Sequence, residues 1–98
     1  MSAVAVVATI TAAEGQADDV ARALADAAAA VKANEPGCQF YRIARSRDDA
    51  NVFKVLELYD DKAAIEAHGG SDHFKALGQA LRGKLAGAPT VERLDVVA

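Results

Sequence analysis

The segment from residue 52 to residue 85 constrains the fold of this chain more than any other segment. It begins with a largely apolar run, Val52–Tyr59, in which one carboxylate, Glu57, lies among aliphatic and aromatic side chains. A run of this kind is typical of a β-strand. The helical region that follows carries the two histidines of the chain, His68 and His73, on either side of a diglycine break. The segment therefore predicts that adjacent elements hold one carboxylate and two imidazoles in a single small domain.

The remaining segments complete an alternation of strands and helices. We predict strands at Ala3–Thr11, Cys38–Arg45, Val52–Tyr59 and Thr90–Val97, and helices at Gln16–Asn34, Lys62–His68 and Ser71–Leu85. Apolar residues repeated every three or four positions indicate the helices, and short apolar runs between turn residues indicate the strands. The order β-α-β-β-α-β, with its second helix broken, predicts a ferredoxin-like α+β fold. At 98 residues, the whole chain (1–98) is predicted to be a single domain.

The alternation of side chains along the strands predicts how the protein assembles. Two helices cover only one face of a four-stranded sheet, whereas the first strand is apolar on both faces. Strict alternation gives Phe53, Val55, Glu57 and Tyr59 one common face of the third strand. We expect this face, together with Phe40 of the second strand, to be the uncovered one. An uncovered apolar face favours a partner, so we predict a homodimeric α/β-barrel with a cavity between its two sheets.

Composition restricts the classes of partner. The net charge is −3 and no cluster of Lys or Arg occurs, so neither nucleic acid nor an anionic membrane is an expected partner. A single cysteine, Cys38, excludes an internal disulfide and favours a reducing, cytoplasmic location. The apolar start of the chain is short, rich in valine and not preceded by basic residues, so we interpret it as a strand and not as a signal peptide.

Two interpretations of Glu57 follow from its position. A glutamate on a strand is most often structural, and Arg42 on the neighbouring strand or Lys54 offers an ion pair. Alternatively, Glu57 lies between Val55 and Tyr59 on the face expected to line the cavity. Burial there raises the pKa of a carboxyl into the range where it takes a proton from an acidic carbon or hydroxyl. The residues alone leave a structural ion pair and a catalytic base both open.

The two histidines are also open to more than one interpretation. They lie five residues apart, about 140° around a continuous helix, which is not the i, i+4 spacing of a helical metal pair. Cys38 is the only soft ligand elsewhere, so no metal site is predicted. His73 follows Ser71 at a helix start, where a local structural role is the simpler explanation. His68 ends the first helical piece, and its ring either turns into the cavity or favours the negative end of the helix.

No motif for a cofactor or for nucleic acid is present. The sequence has no Gly-rich phosphate loop, dinucleotide fingerprint or nucleophile elbow, so no cofactor is predicted. Ferredoxin-like domains that bind RNA need basic residues and stacking aromatics on the central strands. The strand Val52–Tyr59 of this acidic chain does not match that pattern.

Three groups of residues together resemble the antibiotic biosynthesis monooxygenase (ABM) domain. They are Glu35-Pro36-Gly37-Cys38, the strand Asn51–Tyr59 with its Glu57, and the helical region with Ala67-His68 and Ser71-Asp72-His73-Phe74-Lys75. The resemblance covers almost the whole chain, and its most specific part is the Glu57 strand followed by the two histidines. It implies a homodimer whose two sheets form a barrel. The sequence also resembles the small bacterial quinol monooxygenases and the autoinducer-2 phosphate-processing isomerase of the same fold.

The resemblance implies a cofactor-independent monooxygenase that oxidises a small quinol-like or polyphenolic substrate with O₂. In that chemistry a base removes a phenolic proton, the anion passes an electron to O₂, and the caged pair recombines in a dry apolar pocket. Two alternatives stay open. One is an isomerase that moves protons on a small oxygenated metabolite, and the other is a non-catalytic dimeric barrel that binds a small hydrophobic ligand.

Two departures from related enzymes restrict what the resemblance implies. Polyketide-oxidising members have an Asn and a Trp in the cavity, where this chain has Val55 and Tyr59. Haem-degrading relatives use a histidine of the last helix, and Gly78 is at roughly that position here. They also use an Asn of the first strand, which this first strand lacks. The substrate is therefore left open, and haem degradation is disfavoured.

These arguments define a candidate site. Its predicted catalytic residues are His68 and Glu57. The residues predicted to contact the substrate are Tyr59, Phe53, Val55, Phe74, Phe40, Arg42 and His73. The predicted partners are a second copy of the chain, a small aromatic or quinol-like molecule and O₂, without nucleic acid, membrane, metal or cofactor.

Overall fold

Seven helices and strands make up the part of the chain that the computed structural model describes, residues 3–98. The strands are β1 (Val4–Thr11), β2 (Cys38–Arg45), β3 (Val52–Tyr59) and β4 (Thr90–Asp95), and the helices are α1 (Ala17–Asn34), α2 (Lys62–Gly69) and α3 (Asp72–Ala80). This order confirms the predicted ferredoxin-like α+β fold with a broken second helical region. Within residues 3–98, no helix has both the length and the apolar character needed to cross a membrane.

The second helical region ends earlier than predicted. Helix α3 ends at Ala80 instead of near Leu85, because a turn follows in which Gly83 has a φ of 76°. That left-handed conformation is strained for a residue with a side chain, so glycine suits the turn. Beyond it the chain runs beside β1, where the amide of Ala86 donates to the carbonyl of Thr11 over 2.9 Å. The turn and this strand contact replace the last helical turn that the apolar spacing predicted.

The sheet has the strand order β2-β3-β1-β4, and every neighbouring pair is antiparallel. The register places Tyr41 opposite Glu57, and Glu57 opposite Val6. Val6 also lies opposite Arg93 of β4. Residues opposite each other share a face of the sheet. One row across all four strands therefore carries a phenol, a carboxylate, an apolar side chain and a guanidinium.

The helices cover the face of β3 that was expected to be open. Phe53, Val55 and Tyr59 are 2%, 2% and 0% exposed. Phe53 and Val55 pack in one cluster with Val20 of α1. The prediction that these residues share a face is confirmed, but the expectation that this face is uncovered is wrong. The alternation of side chains along a strand decides only which residues share a face of the sheet. Which face is covered depends on the side of the sheet along which α1 connects β1 to β2.

The uncovered face carries the opposite set of side chains. Its central rows are Phe40, Leu58, Ala5 and Leu94, and beside them Arg42, Leu56, Val7 and Glu92. Phe40 and Leu94 are each 44% exposed. A bulge between Cys38 and Phe40 breaks the alternation of β2. As a result, Cys38 lies opposite Tyr59 and packs on the helix-covered face, while Phe40 and Arg42 lie on the open one.

Two capped helix starts position the histidines. Asp61 accepts a hydrogen bond from the amide three residues later at the start of α2, and Ser71 does the same for Phe74 at the start of α3. Each cap contributes about 1 kcal/mol. The hydroxyl of Ser71 also donates to the carbonyl of His68 over 2.7 Å, so one side chain ends α2 and begins α3. This break turns the chain and leaves the rings of His68 and His73 6.0 Å apart, centroid to centroid.

Candidate functional site

A cavity of about 440 Å³ lies between the helix-covered face of the sheet and the helices α2 and α3. Most of its wall is apolar, with Val6, Ala8, Ile10 and Val55 from the sheet and Ile65, Phe74, Leu77 and Leu81 from the helical region. Its polar side chains are Tyr41, Glu57, Tyr59, His68 and Arg93. A mostly apolar cavity with a few converging polar groups is the usual form of a small-molecule site. This cavity lies within one chain, whereas the cavity that the sequence predicted lies between the two sheets of a dimer.

Glu57 lies on the cavity floor and is hydrogen-bonded to Tyr59. The hydroxyl of Tyr59 donates to Glu57 Oε1 over 2.5 Å. Burial raises the pKa of Glu57 above its ordinary value, although the hydrogen bond from Tyr59 and the proximity of His68 act in the opposite direction. Arg42, the ion-pair partner considered from the sequence, lies on the other face with its guanidinium 5.8 Å from the centre of the Phe40 ring. The Glu57 carboxyl is therefore bound to a phenol and is not held by Arg42.

His68 is the buried imidazole of the site, with 8% of its surface exposed. Its ring centroid lies 5.7 Å from those of Tyr41 and Tyr59 and 5.1 Å from that of Phe74. Nδ1 lies 2.7 Å from Glu35 Oε2. Nε2 has no hydrogen-bond partner within residues 3–98, yet it is not sealed from solvent. His68 itself lines the cavity.

Glu35, which the sequence analysis did not select, links the two histidines. It directly follows α1, and its side chain is only 9% exposed. Its Oε2 contacts both His68 Nδ1 and His73 Nε2. Its Oε1 is the one sealed side-chain nitrogen or oxygen in the described part of the chain that has no partner. We refer to Glu35, His68 and His73 as the carboxylate–histidine cluster.

A close approach at Gly37 brings Glu35 to the histidines. A Cβ added to Gly37 would lie 2.7 Å from the Cβ of Ala64 in the first turn of α2, well inside the usual carbon–carbon contact of about 3.5–4.0 Å. The amide of Asp60 donates to the carbonyl of Gly37 over 2.9 Å. The loop between α1 and β2 therefore rests directly on the start of α2. In the sequence, Glu35 stood out only as the first residue of the motif Glu35-Pro36-Gly37-Cys38. In the structure, the glycine of this motif allows the close approach to α2.

The side chains of the cluster are of the types that bind metal ions, but the distance between His68 and Glu35 is that of a hydrogen bond. Two imidazole nitrogens and a carboxylate oxygen lie within 4.8 Å of one another, and such ligands suit Zn²⁺ or Fe²⁺. The sequence argument against a metal considered the helical spacing of the histidines and Cys38 as a soft ligand, and so missed Glu35. The 2.7 Å between His68 Nδ1 and Glu35 Oε2 is shorter than the roughly 3.0–3.4 Å between two ligands of one ion at about 2.1 Å. The contact is therefore a hydrogen bond.

Five of the nine residues predicted for the site line the cavity. The predicted residues that line it are His68, Glu57, Tyr59, Val55 and Phe74. Phe53 is sealed in the core, with the guanidinium of Arg45 4.7 Å from the centre of its ring. His73 does not line the cavity and contacts Glu35 instead. Phe40 and Arg42 line a separate groove of about 460 Å³ between α1 and β2, which contains neither histidine nor Glu57.

Tyr41 and Arg93 are cavity residues that the sequence analysis missed. Both lie in the row of Glu57, and only the register of β2 and β4 reveals this. Burial raises the pKa of the Tyr41 phenol, and the nearby Glu57 adds to the effect. Burial and Glu57 likewise raise the pKa of the Tyr59 phenol. Both phenols therefore remain protonated donors. Arg93 forms no ion pair with any residue from 3 to 98.

Fold and cavity together define a small ferredoxin-like α+β domain with a partly buried carboxyl and a buried imidazole at an apolar cavity. The sequence profile of the family described as antibiotic biosynthesis monooxygenase matches residues 3–80. Because this match covers most of the chain, the protein belongs to the antibiotic biosynthesis monooxygenase family. No match was found among curated proteins.

Solved structures share the fold over more than nine-tenths of their length. A Caulobacter crescentus CB15 protein, provisionally named an antibiotic biosynthesis monooxygenase, is 45% identical with a TM-score of 0.94, and the match covers 99% of this chain and 92% of that one. PA3566 from Pseudomonas aeruginosa is 30% identical with a TM-score of 0.91, covering 100% and 97%. Rv0793 from Mycobacterium tuberculosis is 23% identical with a TM-score of 0.91, covering 99% and 97%, and this likeness concerns the fold alone.

Proposed function

We propose that the protein is a cofactor-independent monooxygenase that oxidises a small quinol-like or polyphenolic substrate with O₂. The observation that carries this proposal is the unpartnered Nε2 of His68 at a mostly apolar cavity of about 440 Å³. The cavity volume lies in the range of small-molecule sites. Membership of the family supports the reaction class.

In the proposed reaction His68 is the base. Its Nε2 accepts the proton of a substrate hydroxyl, and the resulting phenolate passes one electron to O₂. The two radicals combine at a ring carbon, and the peroxide formed there loses water to give a quinone. For a phenol with a free para carbon, the overall change is phenol plus O₂ to quinone plus water. One oxygen atom enters the ring and the other leaves as water. The apolar wall, including Val55 and Phe74, keeps bulk water from the caged pair.

Glu57 is the second proposed participant. Its carboxyl has a raised pKa and is held by the Tyr59 hydroxyl, which supports a role in receiving or returning a proton at the substrate. We propose Tyr59, Val55 and Phe74 as substrate contacts. Tyr41 and Arg93, in the same row as Glu57, join them as polar contacts at the two ends of the cavity floor.

A second candidate function is an isomerase that moves protons on a small oxygenated metabolite. The observation that favours it is that a carboxyl with a raised pKa and an imidazole face one cavity. Two titratable groups in different environments supply the acid and the base for such a reaction. This reaction leaves O₂ unchanged, which separates it from the first candidate.

Oxygen uptake with a panel of hydroquinones and polyphenols distinguishes the candidates. The protein is assayed without added cofactor, before and after treatment with a chelator, and O₂ consumption is compared with quinone formation. A monooxygenase consumes one O₂ per quinone formed from a phenol, with or without the chelator. Product without O₂ uptake would support the isomerase. Binding of panel members without any product would support a ligand-binding barrel.

Substitution of His68 tests its role directly. His68→Ala should lower kcat by ~10²–10⁴-fold, the usual contribution of a positioned acid or base. The matched control is Lys62→Ala on the outer side of α2, where the lysine side chain is 85% exposed, and its kcat should equal that of the wild type. Turnover by a folded His68→Ala variant within a few-fold of the wild type would contradict the proposal.

We also propose that the protein is a cytoplasmic homodimer formed through the open face of the sheet. The support is the row of Phe40, Leu58, Ala5 and Leu94 on that face, with Phe40 and Leu94 each 44% exposed. Exposed apolar rows of this kind are typical of interfaces. The single cysteine supports the location.

A further inference from the structure

We propose that Glu35 is a positioning residue: its Oε2, held between His68 and His73, keeps Nδ1 of His68 protonated and Nε2 bare towards the cavity. The same carboxylate stabilises the imidazolium that forms when His68 takes a proton from the substrate. The first statement concerns the resting protein, and only the second rests on the proposed function.

The first step of the argument is the inventory of donors. An ionised carboxylate offers only acceptors, so the imidazole nitrogen that contacts it carries the hydrogen. The contact between His68 Nδ1 and Glu35 Oε2, at 2.7 Å, therefore has Nδ1–H as its donor. A neutral imidazole has one N–H and one bare nitrogen. Nε2, which has no partner within residues 3–98, is then the bare nitrogen.

The second step concerns His73. Its Nε2 contacts the same oxygen of Glu35 from the other side. His73 is partly buried, with 17% of its side chain exposed, and does not line the cavity. It therefore acts on Glu35 and not on a ligand. Two donors from separate helices, α2 and α3, fix the carboxylate in one position, and Ser71 at the break between these helices sets their relative direction.

The third step concerns the cost of the arrangement. Glu35 Oε1 is sealed and unpartnered, and a buried acceptor without a donor is unfavourable. A side chain that only filled space at this position would avoid that cost. The other oxygen of the same carboxylate contacts an imidazole that lines a cavity, which is the arrangement by which an acid residue supports a histidine base.

Nitrogen chemical shifts of the imidazoles test the positioning role without any substrate. The probe is a long-range ¹H–¹⁵N correlation spectrum of the full-length protein. In the wild type, neutral His68 should carry its hydrogen on Nδ1. Glu35→Leu removes the acceptor, and His68 should then change to the tautomer with its hydrogen on Nε2. Glu35→Gln retains an acceptor without charge and should keep the wild-type tautomer. A wild-type His68 with its hydrogen on Nε2 would overturn the proposal, and so would an unchanged tautomer in Glu35→Leu.

Kinetics test the second statement. Glu35 does not line the cavity, so its loss should change kcat and not KM. We expect Glu35→Gln to lower kcat by ~10-fold or more and Glu35→Leu by ~10²-fold or more, since the imidazolium loses its counter-charge. His73→Gln should keep most activity because an amide N–H can donate to Oε2, whereas His73→Leu should not. Equal kcat in Glu35→Gln and the wild type would overturn the stabilising role.

Metal binding is the competing explanation of the same cluster. Zn²⁺ is titrated into chelator-treated protein while Tm and the imidazole signals are followed. The proposal expects no saturable, Glu35-dependent response. Stoichiometric binding that is lost in Glu35→Gln and His73→Leu would overturn it in favour of a metal site. If the wild type turns over no substrate, the proposed function fails, and the tautomer measurement still decides the positioning role.

Discussion

Gly37→Ala should destabilise the fold through one defined contact. The added Cβ would lie 2.7 Å from the Cβ of Ala64 and 3.7 Å from its Cα, so the first contact is a clash and the second is ordinary. Neither Cβ can rotate away, because each is attached to the backbone, so the start of α2 has to move by up to about 1 Å to reach normal contact. Overpacking of this kind costs about 1–3 kcal/mol. For a domain of this size, that lowers Tm by roughly 4–24 °C.

Thermal and urea unfolding at one fixed protein concentration measure this effect. The second variant, Gly37→Ala combined with Ala64→Gly, removes the other partner of the clash and should recover most of the lost stability, apart from about 1 kcal/mol for glycine in a helix. Gly87→Ala is the matched control, because nothing lies within 4 Å of its added Cβ. If Gly37→Ala is as stable as Gly87→Ala, or if it costs as much stability in an Ala64→Gly background as in the wild type, the loop does not rest on α2 as described.

Two further predictions concern pH and assembly. Because burial raises the pKa of Glu57 above the ordinary 4.5, the folded state binds this proton more tightly than the unfolded chain, and the contribution of Glu57 to stability falls as pH rises above that value. Glu57→Gln removes the effect, so its urea stability relative to the wild type should increase between about pH 4 and pH 8, and a constant difference would refute the assignment. Leu94→Asp places a charge in the open face and should convert a dimer into a monomer in sedimentation at micromolar concentration, with Lys62→Ala as control. A monomeric wild type would contradict the proposed dimer.

The sequence predicted the strands of this fold well because their signals are local. The bounds of β2 and β3 follow from apolar runs between turn residues, and they are confirmed. The common face of Phe53, Val55 and Tyr59 follows from alternation and is also confirmed. Which face the helices cover depends on the path of a connection in three dimensions, and no local pattern contains that information. The cavity was therefore expected on the open face but lies beneath the helices.

The candidate site was only partly predictable for the same reason. His68 and Glu57 were selected from their own surroundings in sequence, and both line the cavity. Glu35 contacts histidines that are 33 and 38 residues later in the chain. Phe40 and Arg42 were selected with them, but a bulge and the pairing of β2 direct both to the other face. Long-range pairing, and not side-chain chemistry, decided each of these outcomes.

The shared oxygen of Glu35 has a consequence for how substitutions combine. His68 and His73 both contact Oε2, so each hydrogen bond depends on the position that the other gives the carboxylate. Groups that share a partner have non-additive free energies. The loss measured when two members of the cluster are replaced together should be smaller than the separate losses combined. In single alanine substitutions, the measured free-energy losses overlap, because each substitution affects hydrogen bonds to the same oxygen. Double-mutant cycles between position 35 and each histidine would give the free energy of each hydrogen bond separately.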